Sequence, residues 1–272
     1  MSVKQVSSTA NPLVKSIRAL AQKKAREREG LFLAEGLKLA VDALDGGWTI
    51  RTLVVAAEGG PRERIDDISA RVHASGGLVL QASPKVLTAI ARRDNPQTVI
   101  AVVEERWGEA EPQAGETWVA LERVRDPGNL GTVIRTADAL GLAGVVLAGE
   151  CVDPFGVECV RATMGSLFHV AVARTHDVGA LAGRFRAAGG RTVGTHLAGA
   201  VDHRRVDWSR SPLLVVMGNE ARGLSDEAAA ACDELALIAM SGRADSLNLA
   251  VSAGIVLFEA RRHALPMLEE AA

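Results

Sequence analysis

Three stretches of the sequence crowd polar side chains against glycines and turns. The first, ERVRDPGNLGTVIRTADALG (Glu122 to Gly141), carries Asn129 and Arg135. The second, LLVVMGNEARGLSDE (Leu213 to Glu227), sets an amide, a carboxylate and a guanidinium between Gly218 and Gly223. The third, LALIAMSGRADSLNLAVSAGIVLFEARR (Leu235 to Arg262), brings Ser246 and Asn248 to the start of a long helix. A guanidinium binds or stabilises an anion. A glycine lets a ligand approach the backbone closely. A helix N-terminus, with its unpaired N–H groups, favours negative charge such as a carboxylate. Each stretch also has an ordinary reading. Arg135 can pair on the surface with Asp138 three residues on, Gly218 to Gly223 can be a plain strand-to-helix connection, and Ser246 to Asn248 can be a capped helix start.

Other chemistries are excluded by inspection. The sequence has no G-x-G, so the usual dinucleotide fingerprint is missing, and it has neither a phosphate-loop signature nor a G-x-S-x-G nucleophile elbow. Its six histidines are scattered without metal-ligand spacing. Cys151, Cys159 and Cys232 form no C-x-x-C pair and read as reduced thiols, so neither a metal site nor a disulfide framework is expected.

The elements that must carry these loops alternate strand and helix. In the first part, Asn11-Pro12 opens a helical stretch that Gly30 stops. Strands follow at Leu31 to Gly36, Thr49 to Ala56, Leu78 to Gln81 and Thr98 to Glu104, with helices at Leu37 to Leu44, Arg62 to Ala74 and Pro84 to Ala91 between them. WGEAEPQAGE then reads as a linker. In the second part, strands are expected at Thr117 to Val124, Val145 to Ala148, His169 to Ala173, Thr192 to Thr195, Leu213 to Met217 and Leu235 to Ala239. Helices are expected at Asn129 to Leu140, with Asn129 as its cap, and at Val157 to Ser166, Val178 to Ala188, Ser225 to Ala231 and Ser246 to Ala264. Continuous apolar strands such as LLVVM suit a buried parallel sheet. All three polar stretches then fall at the C-terminal ends of strands, where open parallel sheets bind ligands. The domains expected are residues 1–106, a linker at 107–116 and residues 117–272.

At 272 residues and 48% hydrophobic residues, the chain can fill two cores, one smaller and one larger. Aromatic residues make up only 3%, with no Tyr, which counts against recognition by stacking exposed bases. The formal charge is −2, unevenly spread: seven basic residues against two acidic ones between Met1 and Glu29 leave +5 there and −7 elsewhere. Lys15, Arg18, Lys23, Lys24, Arg26 and Arg28 are therefore candidate phosphate contacts, against the alternative of a solvated amphipathic helix. The start lacks an apolar signal core and no long apolar run could span a bilayer, so a soluble, cytoplasmic protein is expected.

Taken in order, NLGTVIRTADALG, VVMGNEARGLS and IAMSGRADSLNLAVSAGI resemble the three motifs of the SpoU (TrmH-like) family of RNA 2′-O-ribose methyltransferases, within the SPOUT superfamily. The stretch RATMGSLFHV is similar to a small-residue segment of that family, and REGLFLAEGLKLAVDAL resembles its L30e-like substrate-binding extension. Two positions depart from the pattern, Ala239 where Pro is usual and Thr163 where Ser is usual. Neither removes a polar catalytic group.

The resemblance implies an α/β fold whose C-terminal SPOUT domain has a mostly parallel sheet and a deep trefoil knot, with a smaller L30e-like domain before it. It implies S-adenosyl-L-methionine as cofactor, held by backbone groups around Thr195, Gly218, Ile238, Met240 and Leu247. Asn129, Arg135, Glu220, Ser246 and Asn248 would form the catalytic site, and a homodimer would form through the C-terminal domain. RNA would be the substrate, rRNA of the 23S type ahead of tRNA. The family assigns the base role to the arginine matching Arg135. A guanidinium keeps its proton in proteins, so the firmer role is to contact the attacking oxygen or an adjacent phosphate and stabilise developing negative charge. Two other readings stand beside this one: a non-catalytic RNA-binding or ribosome assembly factor with the same fold, and an α/β enzyme acting on a small molecule.

Overall fold

In a computed structural model, residues 4–197 and 200–267 are described. The chain packs as two compact units. One holds the residues up to Arg106 together with Asp153–His169; the other holds Trp107–Val152 and the chain from Val170 onward.

The first unit is built on a five-stranded sheet in the order β1-β4-β3-β5-β2. These strands are Lys4–Val6 (β1), Leu31–Glu35 (β2), Ile50–Ala56 (β3), Leu78–Ala82 (β4) and Val99–Glu104 (β5). β1, β4 and β3 run parallel, and β5 runs antiparallel to both β3 and β2. The helices are Pro12–Ala19 (α1), Lys23–Glu29 (α2), Leu37–Asp45 (α3), Arg62–Ala74 (α4) and Pro84–Ala91 (α5). The basic leading helix expected from Asn11 to Gly30 is two helices. Asn11 caps α1 by accepting a hydrogen bond from the Leu13 amide. α1 then ends at Leu20, and α2 starts after Gln22, whose backbone is extended. Val14, Ile17 and Leu20 bury themselves against Val86, Leu87 and Ile90 of α5 in one apolar cluster.

Asp153–His169, which in sequence lies beyond residue 117, packs within this unit. Phe155 packs on Phe32 with ring centroids 4.9 Å apart, and Trp48 donates to the Phe168 carbonyl at 3.0 Å. Arg161 pairs with the buried Glu35 carboxylate at 3.0 Å. The segment holds helix α7 (Val157–Ala162) and a 3-10 turn at Ser166–Phe168, shorter than the helix expected to run to Ser166.

The second unit has a seven-stranded sheet in the order β10-β12-β9-β11-β6-β7-β8, with every neighbouring pair parallel. Its strands are Thr117–Glu122 (β6), Gly144–Ala148 (β7), Ala171–Thr175 (β8), Arg191–Thr195 (β9), Val201–Asp202 (β10), Leu213–Met217 (β11) and Glu234–Leu237 (β12). Its helices are Pro127–Ala139 (α6), Val178–Ala187 (α8), Asp226–Ala231 (α9) and Leu249–Arg261 (α10). β6, β7 and β11 are buried along their whole length, as the apolar runs Trp118–Leu121, Val145–Ala148 and Leu213–Met217 within them require of central strands covered on both faces. α10 packs along α6, burying Leu249, Ala253, Val256, Leu257 and Ala260. Because all seven strands point the same way, the loops after β6, β9, β11 and β12 share one edge of the sheet.

Candidate active site

The three polar stretches meet at that edge through a chain of side-chain hydrogen bonds. Asn129 Nδ2 donates to Glu220 Oε1 at 2.9 Å, and Asn248 Nδ2 donates to Asn129 Oδ1 at 2.9 Å. One amide thus uses its donor on the second stretch and its acceptor on the third.

Asn129 is available for this because it is not the helix cap. α6 begins at Pro127, and Asp126 is the capping residue, its carboxylate accepting from the Asn129 backbone N–H at 2.7 Å. Proline at the first helical position lacks the N–H that would go unpaired there. The helix therefore starts two residues earlier than expected, which turns Asn129 from a cap into a side chain on the first turn. At the other helix the sequence places the start too early. Ser246 and Leu247 lie in a loop, and α10 begins at Leu249 with Asn248 as its cap. Asn248 Oδ1 accepts from the Ala250 and Val251 amides at 2.8 and 3.3 Å. Its Nδ2 is left to reach Asn129.

The second stretch is a closed turn. Asn219 and Gly223 exchange backbone hydrogen bonds at 3.1 and 2.8 Å, and Asn219 Oδ1 accepts from the Ala221 amide at 2.8 Å. Asn219 Nδ2 donates to the Arg123 carbonyl at 2.8 Å, clamping the turn to the loop after β6. Gly218 does permit a close backbone approach, but the approach is made by the chain itself. A Cβ there would lie 2.0 Å from the Gly223 carbonyl carbon and 2.1 Å from the Leu224 nitrogen. Glu122, at the end of β6, fixes the far side by accepting from the Ser225 amide at 2.8 Å and the Ser225 hydroxyl at 2.7 Å. Ser225 in turn caps α9.

Arg135 lies about one and two-thirds turns along α6 from Asn129, on the exposed face, where Thr132 is also exposed. Val133, Ile134 and Ala137 are the buried stripe of the same helix. Ser246 is exposed in the loop before α10.

The expected cofactor residues divide by position. Thr195, Gly218 and Ile238 sit at or just past the C-terminal ends of β9, β11 and β12, which are adjacent in the sheet. Met240 and Leu247 lie in the loop between β12 and α10, each a large apolar side chain more than a third exposed. Three neighbouring strand ends offering backbone groups, with unburied apolar side chains beside them, suit a nucleoside with a short polar tail. Among the described residues, no group of three or more His, Cys, Asp or Glu could hold a metal ion.

The basic candidates of the first unit also divide. Lys15, Arg18, Lys23, Lys24 and Arg28 are exposed. Arg26 is not a surface contact: it is 4% exposed, with Nη2 and Nε at 2.6 and 2.9 Å from Asp153 and Nη1 donating to the Leu20 carbonyl at 2.8 Å. Its place on the inner face of α2 beside Ala25 explains this, and the charge count alone could not. The sequence reading also passed over Arg92, which follows α5 at φ 53° and whose guanidinium reaches the Arg18 carbonyl at 3.5 Å. Only the packing of α5 on α1 brings those two together.

Residues 116–258 match the SpoU rRNA Methylase family, and residues 11–101 match the MRM3-like substrate binding domain. The chain is 31% identical over 260 residues to the 23S rRNA (guanosine(2553)-2′-O)-methyltransferase RlmP of Bacillus subtilis, covering 95% of this chain and 100% of the relative. It is 33% identical over 255 residues to the 23S rRNA (uridine(2479)-2′-O)-methyltransferase of Streptomyces viridochromogenes, covering 89% and 86%. Among solved structures, the AdoMet-bound rRNA methyltransferase from Sinorhizobium meliloti superposes with a TM-score of 0.91 at 52% identity, covering 97% of this chain and 99% of that one.

Proposed function

Because this chain belongs to the SpoU rRNA methylase family, we propose that the linked motif residues around Asn129 are its catalytic site and that large-subunit ribosomal RNA is its substrate. The protein is an S-adenosylmethionine-dependent RNA 2′-O-ribose methyltransferase. The observation that carries the site assignment is the Glu220–Asn129–Asn248 chain, which joins all three polar stretches through two 2.9 Å hydrogen bonds. The rRNA assignment is supported by the relatives matched across both domains, which are named as 23S rRNA enzymes.

Bound S-adenosylmethionine supplies a methyl group on a sulfonium, whose departing thioether is neutral and needs no proton. The chain's residues must therefore deal with the acceptor, a ribose hydroxyl that is a poor nucleophile until its proton is lost or shared. Arg135 faces the attacking oxygen or the phosphate next to it and stabilises negative charge as it develops. Asn129, held at both ends of its amide, orients the ribose and fixes the turn that carries Glu220. Ser246 and Asn248 set the loop that closes the site from the third stretch. Backbone groups around Thr195, Gly218, Ile238, Met240 and Leu247 would hold the cofactor. Lys15, Arg18, Lys23, Lys24 and Arg28, joined by Arg92, give the first unit an exposed basic surface for RNA phosphates.

Two further features belong to this reading. The parallel neighbours β12, β9 and β11, with α10 lying along α6, support a C-terminal segment threaded through a loop as a deep trefoil knot. The exposed face of α10 supports a homodimer through the C-terminal domain. Val251, Ile255 and Phe258, at 52%, 37% and 52% exposure, form an apolar stripe opposite the face packed on α6. None of the described helices is long and apolar enough to cross a membrane; a cytoplasmic location is supported by the relatives named as 23S rRNA methyltransferases.

The test is transfer of a labelled methyl group from S-adenosylmethionine to unmodified 23S rRNA, followed by mapping of 2′-O-methyl sites in rRNA and tRNA from cells with and without the protein. A site that appears in 23S rRNA only when the protein is present supports the proposal. Transfer confined to tRNA, or no transfer at all, overturns it.

A further inference from the structure

Beside Glu220 and the Asn129 chain, the loops after β6 and β11 enclose a cleft of about 860 Å³. Three arginines line it, Arg123 and Arg125 from the first loop and Arg222 from the second. We infer that this cleft is a phosphate subsite of the RNA substrate, in which Arg125 and Arg222 grip a phosphodiester flanking the ribose to be methylated. The inference deepens the function proposed above and rests on it.

The charge state of the cleft has to be read group by group, because its carboxylates outnumber its arginines. Glu122 is buried and committed to Ser225, Asp126 caps α6 at the Asn129 amide, and Glu220 holds the Asn129 side chain. Asp226 and Glu227 begin α9 and oppose an anion on their own side of the cleft. On the arginine side the picture reverses. Arg125 and Arg222 are exposed, and neither is in a salt bridge among the described residues. Arg123 has only a 3.9 Å approach to Glu122. Two guanidinium groups from the two loops that line the cleft, neither held in an ion pair among the described residues, match the forked geometry with which arginine takes phosphate oxygens.

The loops are also held ready. Arg123 adopts φ 54°, a left-handed conformation that a non-glycine residue rarely takes, and its carbonyl is fixed by Asn219 Nδ2 at 2.8 Å. Gly223, at φ 68°, closes the opposite turn through its paired hydrogen bonds with Asn219. Arg125 and Arg222 therefore project from two clamped turns rather than from mobile chain. A ribose in RNA carries a phosphodiester on each side. An acceptor seated at the Asn129–Glu220 site thus brings a phosphate within one nucleotide of it, and the cleft adjoins that site through Glu220. Binding here fixes where the strand runs relative to the acceptor oxygen, which a basic surface on another unit cannot do.

The experiment compares the full-length protein with R125Q, R222Q and the double variant. Affinity for an unmodified 23S rRNA transcript is read by filter binding across a salt series, alongside S-adenosylmethionine affinity by calorimetry. Each single variant is expected to weaken RNA binding about ten-fold at low salt, and the double variant, which loses the one phosphate contact, to reduce the slope of log affinity against log salt by about 0.7 to 0.9, with cofactor affinity kept. RNA affinity and slope equal to those of the parent overturn the inference. So does a loss of cofactor affinity, which would put these arginines in the donor site. Binding reads the subsite without requiring turnover, so a parent protein that binds RNA through the cleft yet methylates none would sink the functional reading and leave the subsite standing.

Discussion

Asn129 and Glu220 are 91 positions apart in the chain, and their side chains meet at 2.9 Å. The contact ties the first turn of α6 to the turn after β11, and the Asn248 bond on the other side of the same amide adds the cap of α10. Residues joined in this way act as a unit and should fail as one. Asn129→Ala and Glu220→Ala should each lower kcat by about 10² or more, while the double variant loses far less than the product of the two. Single-turnover rates in a double-mutant cycle check this, and simple additivity would mean the contact is not part of the working site.

Arg135 is the residue proposed to meet developing charge on the acceptor oxygen. Arg135→Ala should abolish methyl transfer while S-adenosylmethionine still binds, as read by calorimetry. Arg135→Lys should recover little, because a point charge does not reproduce the planar fork. Turnover near the parent rate in Arg135→Ala would remove the assignment.

Arg26 and Lys23 should part company. Arg26→Ala leaves the Asp153 carboxylate, itself largely buried, without its partner, a change that typically costs about 3–5 kcal/mol. Lys23→Ala removes only an exposed pair with Glu27, worth at most about 0.5 kcal/mol. Urea unfolding should therefore separate the two variants clearly, whereas weakened RNA binding should appear with Lys23→Ala.

The exposed stripe on α10 gives a direct test of assembly. Ile255→Glu with Phe258→Glu places two charges on a surface that a dimer would bury, at a smaller cost to a monomer because both side chains are already more than a third exposed. Light scattering coupled to gel filtration should show a dimer for the parent protein and a monomer for the variant. A monomeric parent would end the dimer proposal.

Cys232 offers a pH-dependent readout. Burial, with the Asp233 carboxylate adding to it, pushes its thiol up to about 12. A free thiol titrates near about 8.5, so in the folded protein Cys232 stays protonated where an unfolded chain would ionise. Its contribution to stability is therefore complete below about pH 8.5 and is lost progressively as pH rises toward that folded value. Iodoacetamide at pH 8 should modify it slowly in the native protein and rapidly in urea, because the thiolate is the reactive form.

What the sequence determined by itself was local. Strand and helix alternation, the continuous apolar runs of β6, β7 and β11, and the buried stripe of α10 are all periodicities of neighbouring residues, and the structure has them. The three motif strings likewise lie along the chain and identify the chemistry without any knowledge of distance. Local signals compete at one helix start: Asp126, Pro127 and Asn129 all favour it, and in the fold Asp126 caps the helix while the Asn129 side chain bonds to Glu220 and Asn248. Only the tertiary structure decided that Asn129 spans two other motifs, that Arg26 points inward to Asp153, that residues 153–169 complete the first unit, and that Arg125 and Arg222 line one cleft. Each of these depends on which face of an element is covered and by what. That is fixed by burial and by pairing between residues far apart in the chain, and no pattern of near neighbours encodes it.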